Sequence, residues 1–359
     1  MPLHLKKNLA DRTADEISKL INLGRWRDTL PSERNLAQEL GVSRSTLRTA
    51  LTQLINQGIL NKKQGKSTRI VHRNITESPP PSKVVAFLTP LPIGSFFTHY
   101  EYPLWYEALE LKLRRRGYDL ELLYLPQLSG KSLDHKLKSL IRRHSINACM
   151  LHQSSLPLQN WFSQNKLPAV VIGSLQQGVN LAAYDVDNRA VCRHAANTLL
   201  RIGHERIAFL VPESGLAGDL LSESGFNEAI SSATRSDGII FRHKGTPQSQ
   251  RIVLQRILSA TPRITGLIIS HAKDVPLVMI TAAELGRPIP QEISIISLKD
   301  HGFLNLLLPL PSKYVIDDTV FASGLARTLD TQIKQGHYEC KNTFVFPDYI
   351  EGASVQSLK

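Results

Sequence analysis

Short apolar runs alternate with segments of helical periodicity along most of the chain, from residue 84 onward. The runs are VVAFLTP (84–90), YDLELLYL (118–125), INACMLHQ (146–153), PAVVIGS (168–174), RIAFLVP (206–212), GIIFRH (238–243), ITGLIIS (264–270) and ISIISLKD (293–300). Runs that are apolar on both faces and separated by helices are typical of parallel strands covered by helices on each side. Eight such strands are more than a single sheet usually contains, so the pattern predicts an α/β body with two lobes. A ligand of such a fold binds beyond the carboxyl ends of the strands.

The pattern before residue 72 is that of short amphipathic helices. Ser32 is placed to cap a helix over 33–40, and Ser43 is placed to cap a second helix over 44–57. Gly41 lies between them, at the position where a helix often ends in a left-handed residue. The apolar residues of each helix fall on one face, which predicts a helix-turn-helix.

The polar side of the second helix carries residue types that read DNA. They are Ser43, Arg44, Ser45, Thr46 and Arg48. The N-terminus of a recognition helix enters the major groove, where arginine can bind guanine bidentately. The stretch GILNKKQGKSTRIV (58–71) then predicts a wing, two strands joined by a basic turn at Gly65. Its lysines Lys62, Lys63 and Lys66 are placed to meet phosphates, which position the protein without reading sequence.

Positive charge is concentrated in the same segment. Residues 1–75 hold 14 Lys and Arg against 6 Asp and Glu, a net charge of +8, whereas all 359 residues together have +12. A small basic module on a nearly neutral body indicates an anionic polymer as partner. HRNITESPPPSK (72–83) separates the two parts, because three consecutive prolines cannot continue a helix and favour an extended spacer. We therefore expect a winged helix-turn-helix (α+β) over 1–72, a linker over 73–83 and the α/β body over 84–359.

The N-terminal motifs carry a family resemblance. LPSERNLAQELGVSRSTLRTALTQLINQGILNKKQGKSTRIV resembles the winged helix-turn-helix of the GntR family of bacterial transcription regulators. The resemblance covers about residues 8–72 and depends on LPSER, GVSRSTLR and the glycine of QGK. It implies that Arg34, Arg44 and Arg48 contact DNA and that Gly65 lets the wing approach the groove.

The body carries a second resemblance. YDVDNRAVCRHAANTLLRIGHERIAFLVP (184–212) resembles the core of LacI/GalR-type regulators, whose effector domain is like the periplasmic sugar-binding proteins (type I). GSFFTHY (94–100), ESGFNEAI (223–230) and LGRPIPQEISIIS (285–297) extend it over about 84–355. It implies two lobes around a ligand cleft, homodimerisation and crossing strands near 298 and 320. A GntR-type head on such a body resembles the arabinose-responsive repressors of some bacteria.

The positions that hold sugar hydroxyls in those regulators differ in this chain. Carboxylates, an amide and an arginine of the sugar-binding members fall at Gly173, Ser222, His271 and Lys299. One hypothesis is an anionic effector, such as a sugar acid or a phosphorylated metabolite, held by Lys299 and His271. The alternatives are a body that has lost effector binding and acts only in dimerisation, or an ordinary neutral sugar as effector.

Three more residues are candidates for the effector site. Asp187 begins a predicted helix, where it can act as a cap or lie beside a ligand. Phe96 and Phe97 follow the first strand, where they can stack on a ligand or pack in the core.

No motif predicts catalysis, a cofactor or a metal. GxSxG, GxxxxGK[ST] and HExxH do not occur, and Cys149, Cys192 and Cys340 are too widely spaced for a metal pair. The start, MPLHLKKNLADRTADE, turns acidic where a signal peptide has its apolar core. No apolar run approaches the ~20 residues that span a bilayer. We therefore expect a cytoplasmic, nucleoid-associated protein without a membrane partner.

Together these observations predict a homodimeric, sequence-specific transcription regulator, a repressor controlled by a small metabolite. The dimer presents two recognition helices, so its operator is expected to be near-palindromic double-stranded DNA. The first rival is a small-molecule binding or transport protein, which does not explain the basic N-terminal segment. The second rival is an enzyme fused to a regulator head, which would carry a cofactor lysine in a recognisable setting.

Overall fold

The computed structural model divides the chain into two units, Met1–Pro81 and Ser82–Lys359. It describes residues 9–22, 26, 29–40, 42–56, 58–62, 68–71, 83–91, 105–126, 129–165, 167–335 and 342–359. Of the expected linker over 73–83, only Lys83 belongs to these residues, as the first residue of a strand. Gly41, Phe96, Phe97 and Cys340 lie outside them, as do the wing residues Lys63, Gly65 and Lys66.

The first unit consists of three helices and a short antiparallel sheet. In chain order they are α1 (Leu9–Asn22), α2 (Glu33–Glu39), α3 (Arg44–Asn56), β1 (Leu60–Asn61) and β2 (Arg69–Ile70). The hydroxyl of Ser32 accepts a hydrogen bond from the Asn35 amide (3.3 Å), and that of Ser43 accepts one from the Thr46 amide (3.1 Å). Both predicted caps therefore begin their helices.

One hydrophobic cluster holds these elements together. Its buried residues are Ala14, Ile17, Leu30, Leu36, Ala37, Leu47, Ala50, Leu51, Leu54, Leu60 and Ile70. They include the apolar face predicted for α3, and Ile55 packs against the cluster while partly exposed. The opposite side of α3 is thereby left at the surface.

The second unit is built from strands and helices in alternation. They are β3 (Lys83–Thr89), α4 (Trp105–Arg114), β4 (Tyr118–Tyr124), α5 (Gly130–Arg143), β5 (Ile146–His152), α6 (Leu156–Asn165), β6 (Ala169–Ile172), β7 (Ala182–Val186), α7 (Asn188–Arg201), β8 (Arg206–Pro212), α8 (Ala217–Ser231), β9 (Asp237–His243), α9 (Pro247–Leu258), β10 (Gly266–Ile269), α10 (Val275–Glu284), β11 (Ser294–Ser297), β12 (Ser312–Val315), α11 (Asp318–Gln335), β13 (Asn342–Val345) and β14 (Asp348–Ile350). Two 3-10 helices, Ala272–Asp274 and Gly302–Leu306, precede α10 and β12.

The strands form two six-stranded sheets, one in each lobe. The first lobe has the order β4-β3-β5-β6-β7-β13, and its strand pairs are parallel. The second lobe has the order β9-β8-β10-β11-β12-β14, in which β14 alone is antiparallel to its neighbour. Helices cover both faces of each sheet and bury four hydrophobic clusters. The two-lobed α/β body predicted from the alternating pattern is present.

The chain passes between the lobes at three places. It leaves the first sheet after β7, returns after β12 because α11 packs on the first sheet, and crosses again between β13 and β14. The crossing expected near 320 corresponds to the segment between Val315 and Asp318. The segment near 298, where another crossing was expected, instead follows β11 within the second lobe, because β11 and β12 pair in the same sheet. The crossings after β7 and after β13 were not expected.

Candidate DNA-contact surface and effector cleft

The N-terminal end of α3 presents a polar, basic surface. Arg44, Ser45 and Arg48 are exposed, and Thr46 is partly exposed. The Ser43 hydroxyl lies 2.8 Å from the hydroxyls of both Ser45 and Thr46, which links the short polar side chains at this end. Arg34 is exposed on α2. The structure thus leaves the predicted α2 and α3 contact residues available to a partner.

Glu33, at the start of α2, connects this surface to β1. Its carboxylate accepts a hydrogen bond from Arg48 Nε (2.9 Å) and another from Lys62 Nζ (2.5 Å). The bond from Lys62, then that from Arg48, lowers the pKa of Glu33 to about 2. A charged Glu33 therefore holds two cations, Arg48 of α3 and Lys62, which directly follows β1. Sequence reasoning missed this residue, although it stands in the LPSER motif.

A cleft lies between the two lobes of the second unit, at the carboxyl ends of their strands, and it is the candidate effector site. Its volume is about 350 Å³. The first lobe contributes His152, Gln153, Ser154, Gly173, Ser174, Asp185 and Asn188, and the second contributes Leu216, Gly218, Asp219, His271, Lys273, Lys299, Asp300 and His301, with Trp105, Tyr314 and Phe321 among the aromatic residues. Such a position is where ligands bind in open α/β folds.

Three of the five described candidate residues line this cleft, namely Gly173, His271 and Lys299. Gly173 has a φ of 120°, a conformation that favours glycine, at the end of β6. Asp187 does not line the cleft, because its carboxylate caps α7 by accepting a hydrogen bond from the Ala190 amide (2.8 Å). Ser222 does not line it either, because it is buried inside α8 and donates to the Gly218 carbonyl (3.0 Å).

Asp185 is the centre of a polar group on the first-lobe wall. Its carboxylate accepts hydrogen bonds from the Ser174 hydroxyl, from Asn188 Nδ2 (3.0 Å) and from the Val186 amide (2.7 Å). Burial raises the pKa of Asp185 to about 6, against the opposing effect of these donors and of Lys299. The sequence did not indicate Asp185 as a site residue, although it lies in the YDVDN segment. Asp185 belongs to β7, a strand that the apolar pattern did not predict.

Asp219 is the centre of a second group, on the opposite wall. It accepts hydrogen bonds from Ser214 Oγ (2.5 Å), Ser270 Oγ (3.1 Å) and His271 Nε2 (3.2 Å). Burial acts to raise the pKa of Asp219, but the donors and Lys299 together bring it below its usual value. Burial, then Lys299, lowers the pKa of His271. The hydroxyls, His271 and Lys299 thus favour the ionised form of Asp219, with which His271 Nε2 forms a hydrogen bond.

Lys299 places a positive charge between these two groups. Its side chain is exposed, and its charge lowers the pKa of both Asp185 and Asp219, which belong to opposite lobes. The cleft therefore offers charges of both signs beside hydrogen-bonding groups. An aromatic surface adds to them, with the rings of Trp105 and Phe321 5.2 Å apart.

The two lobes are also in direct contact at the rim of the cleft. Gln176 Nε2, in the loop between β6 and β7, donates a hydrogen bond to the carbonyl of Gly215 (3.0 Å), which precedes α8. A Cβ atom at Gly218 would lie 3.1 Å from Asn188 Nδ2. This side of the cleft is therefore closed by contact between α8 and the first-lobe wall.

In the part of the chain that the structure describes, no group of three or more His, Cys, Asp or Glu residues is arranged to hold a metal ion. No described helix combines the length and apolarity needed to cross a membrane. Cys149 and Cys192 are buried free thiols, and burial raises the pKa of each.

Comparison with known proteins assigns the two units separately. Residues 9–70 match the gntR family of bacterial regulatory proteins, and residues 196–355 match the periplasmic binding protein-like domain. The chain is 26% identical over 196 residues to the arabinose metabolism transcriptional repressor of Geobacillus stearothermophilus, covering 53% of this chain and 52% of that protein. It is 36% identical over 78 residues to the Glc operon transcriptional activator of Escherichia coli (strain K12), covering 21% of this chain and 31% of that protein. The chain thus spans about half, or less, of the length of these relatives.

A solved structure shows the same fold. A LacI family transcriptional regulator from Enterococcus faecium, determined with bound ribose, superposes with a TM-score of 0.62 at 17% identity, covering 77% of this chain and 100% of that chain. The chain therefore joins a helix-turn-helix unit that matches the gntR family of bacterial regulatory proteins to an α/β unit that matches the periplasmic binding protein-like domain and has the fold of LacI-family regulators.

Proposed function

We propose that the protein is a sequence-specific DNA-binding transcription regulator, a repressor whose affinity for its operator is set by a small metabolite bound in the cleft. It acts as a homodimer on near-palindromic double-stranded DNA, in the cytoplasm at the nucleoid. The observation that carries this proposal is the exposed, capped N-terminal end of α3, with Arg44 and Arg48 at the surface of a basic gntR-family unit. The two curated relatives described above are themselves transcription regulators.

The cleft supports a small polar effector. Its volume of about 350 Å³ suits a ligand of one or two sugar rings, and its walls offer carboxylates, amides and hydroxyls beside an aromatic surface. Asp185 and Asn188 can accept from and donate to hydroxyl groups, and Trp105 can pack against a sugar face. We propose a sugar, or a sugar derivative whose acidic group faces Lys299. This proposal is the alternative to a body that has lost effector binding and acts only in dimerisation.

Exposed apolar residues in the second lobe support the dimer. Leu306 and Leu308 are 82% and 89% exposed, and Ile280 is 57% exposed on α10. Leu306 and Leu308 lie two residues apart in one segment, and we propose that large apolar side chains exposed in this way belong to an interface between two copies of the chain.

The DNA-binding part is tested by selecting duplexes from a random-sequence library with the full chain. We expect recovery of a near-palindromic site whose affinity falls steeply with salt, because a basic surface releases counterions from the phosphates it neutralises. Arg44→Ala should weaken binding by about 1–3 kcal/mol and relax the preference at one base position. Arg235→Ala, an exposed arginine of the second lobe, is the control. Failure of the wild-type chain to enrich any duplex contradicts the proposal.

The effector part is tested by calorimetry with sugars, uronates and sugar phosphates. Asp185→Asn should weaken binding of whichever compound binds, because it replaces the carboxylate of the first-lobe wall. Lys299→Gln separates the two ligand classes, since only an acidic ligand loses affinity by more than about tenfold when the ammonium is removed. A wild-type protein that binds no compound of the panel would instead favour a body that acts only in dimerisation.

A further inference from the structure

One edge of the first lobe, opposite the cleft, is strongly basic. Five cations define this basic rim: Lys83, Arg115, Arg116, Arg142 and Arg143. Lys83 begins β3, the two arginines after α4 directly precede β4, and the two at the end of α5 precede β5. Because the amino ends of parallel strands meet at the same edge of a sheet, the three segments lie together.

Hydrogen bonds between these segments fix their proximity. The Lys83 amide donates to the Gly117 carbonyl (3.3 Å), and the Val84 amide donates to Asn147 Oδ1 (2.8 Å). These bonds join the start of β3 to the turn before β4 and to the start of β5. The rim is thus held at the amino ends of β3, β4 and β5.

Acidic residues do not cancel the charge of the rim. Glu121 pairs with His144 (2.6 Å). Asp330 binds Lys334 (2.9 Å) and also interacts with the charge of Arg116, and Asp119 lies at the same end of the strands, so these carboxylates offset only part of the charge of the rim. All five cations of the rim are exposed. Among the residues that the structure describes, Arg115, Arg142 and Arg143 form no ion pair with a carboxylate.

The sequence of the second unit carries its excess positive charge in this region. Residues 83–147 contain 10 Lys and Arg against 6 Asp and Glu, whereas residues 148–359 contain 19 against 18. A local excess on an otherwise balanced body marks a surface for an anionic partner. The polypeptide also enters the unit at this edge, because Lys83 directly follows the linker.

We propose that the basic rim contacts the sugar-phosphate backbone of the DNA that flanks the site bound by the first unit. The inference rests on the proposed function, since it requires the first unit to bring DNA to the protein. Residues 72–82 connect the described parts of the two units, and a chain of that length extends at most about 40 Å. Flanking DNA is therefore a partner within reach that presents a dense row of negative charges. Contacts of this kind add affinity without reading sequence.

A purely structural role makes a different prediction. Arg142 and Arg143 lie in the last turn of α5, where cations stabilise the helix end through the helix dipole. Neutralising them would then lower the melting temperature but leave the salt dependence of DNA binding unchanged. The slope of log K against log[salt] therefore separates the two roles.

The test compares the full-length triple variant Arg115→Gln/Arg142→Gln/Arg143→Gln with wild type on two duplexes. Both contain the site selected by the wild-type chain; one is trimmed to that site, and the other is extended by about two helical turns on each side. The matched control, Arg201→Gln/Arg235→Gln/Lys244→Gln, removes three exposed cations from the second lobe. On the long duplex the rim variant should lose about 2–3 units of salt slope, since each phosphate contact contributes about 0.9. On the trimmed duplex it should match wild type, and the control should match wild type on both.

The outcomes distinguish the two proposals. If wild type binds both duplexes and the rim variant shows the wild-type slope on the long one, the rim proposal is wrong and the proposed function stands. The rim proposal is also wrong if the rim variant loses slope equally on both duplexes, since the contact would not then involve flanking DNA. If wild type selects no duplex, the proposed function fails and the rim proposal fails with it.

Discussion

Individual side chains were most predictable where their role is local. Ser32, Ser43 and Asp187 each cap a helix by accepting a bond from an amide three residues ahead, so the sequence alone indicates their partner. Asp185 and Asp219 were not recognised, because their donors come from distant parts of the chain. Ser270 and His271, for example, lie about fifty residues beyond Asp219. Burial and long-range donors, which create the chemistry of the cleft, leave no short motif.

The buried carboxyl of Asp185 gives a prediction for a single residue. Its pKa of about 6 in the folded protein exceeds the ordinary 3.8, so the folded state binds more protons between these pH values. Stability should therefore fall as pH rises from about 4 to about 6, by up to about 3 kcal/mol. Asp185→Asn should make this decline smaller, measured by urea unfolding of the second unit across that range; Asp318, whose pKa is also raised by burial, contributes a decline of the same sign. Asp348→Asn, at an exposed strand position, should retain it; an unchanged decline in Asp185→Asn would contradict the assignment.

At the level of elements, periodicity located the strands that are apolar on both faces. The eight predicted runs coincide with β3–β6 and β8–β11, because each of these strands carries a run of apolar residues. Six of them lie inside the sheets, whereas β4 and β9 lie at the edges. The four missed strands are β7, β12, β13 and β14. They are short, they carry polar or charged residues, and β13 and β14 are edge strands. Their assignment requires knowledge of the partner strand, which sequence periodicity does not contain.

The close packing of α7 on α8 gives a prediction for these two helices. A Cβ atom at Gly225 of α8 would lie 2.0 Å from the carbonyl oxygen of Arg189 in α7, a rigid backbone atom. Gly225→Ala should therefore destabilise the second unit by at least about 1–3 kcal/mol, the usual cost of overpacking. Gly302→Ala is the control, because nothing lies within 4 Å of its Cβ position. Equal melting temperatures for the two variants would show that the helices separate without cost.

For the molecule as a whole, charge and linker composition predicted the order of the two units. They did not predict where the chain crosses between the two lobes of the second unit. β13 pairs with β7 and β14 pairs with β12, so the last strands of the chain complete both sheets. Only the pairing of residues more than thirty positions apart decides where the chain crosses. The family resemblance predicted one of the three crossings, near 320, and placed another at a segment that stays in the second lobe.

The proposed dimer gives a prediction for the whole molecule. Leu306→Asp/Leu308→Asp places two charges at the exposed leucines of the proposed interface in the second lobe, so the protein should become monomeric by light scattering. DNA affinity should fall by about a hundredfold or more, because the two recognition helices are then no longer linked. Leu111→Asp, at a leucine 50% exposed on α4, should leave the mass unchanged. A double variant with the mass of wild type would place the interface elsewhere.

The three crossing segments have a mechanical consequence. A single connection would let the lobes twist and tilt freely relative to each other. Three connections act as a hinge and leave mainly one movement, the opening and closing of the cleft. A ligand that fills the cleft then sets the angle between the two lobes, so the size of the ligand determines how far one lobe rotates relative to the other. The bond from Gln176 to the Gly215 carbonyl joins the two lobes, so a change of this angle alters or breaks it.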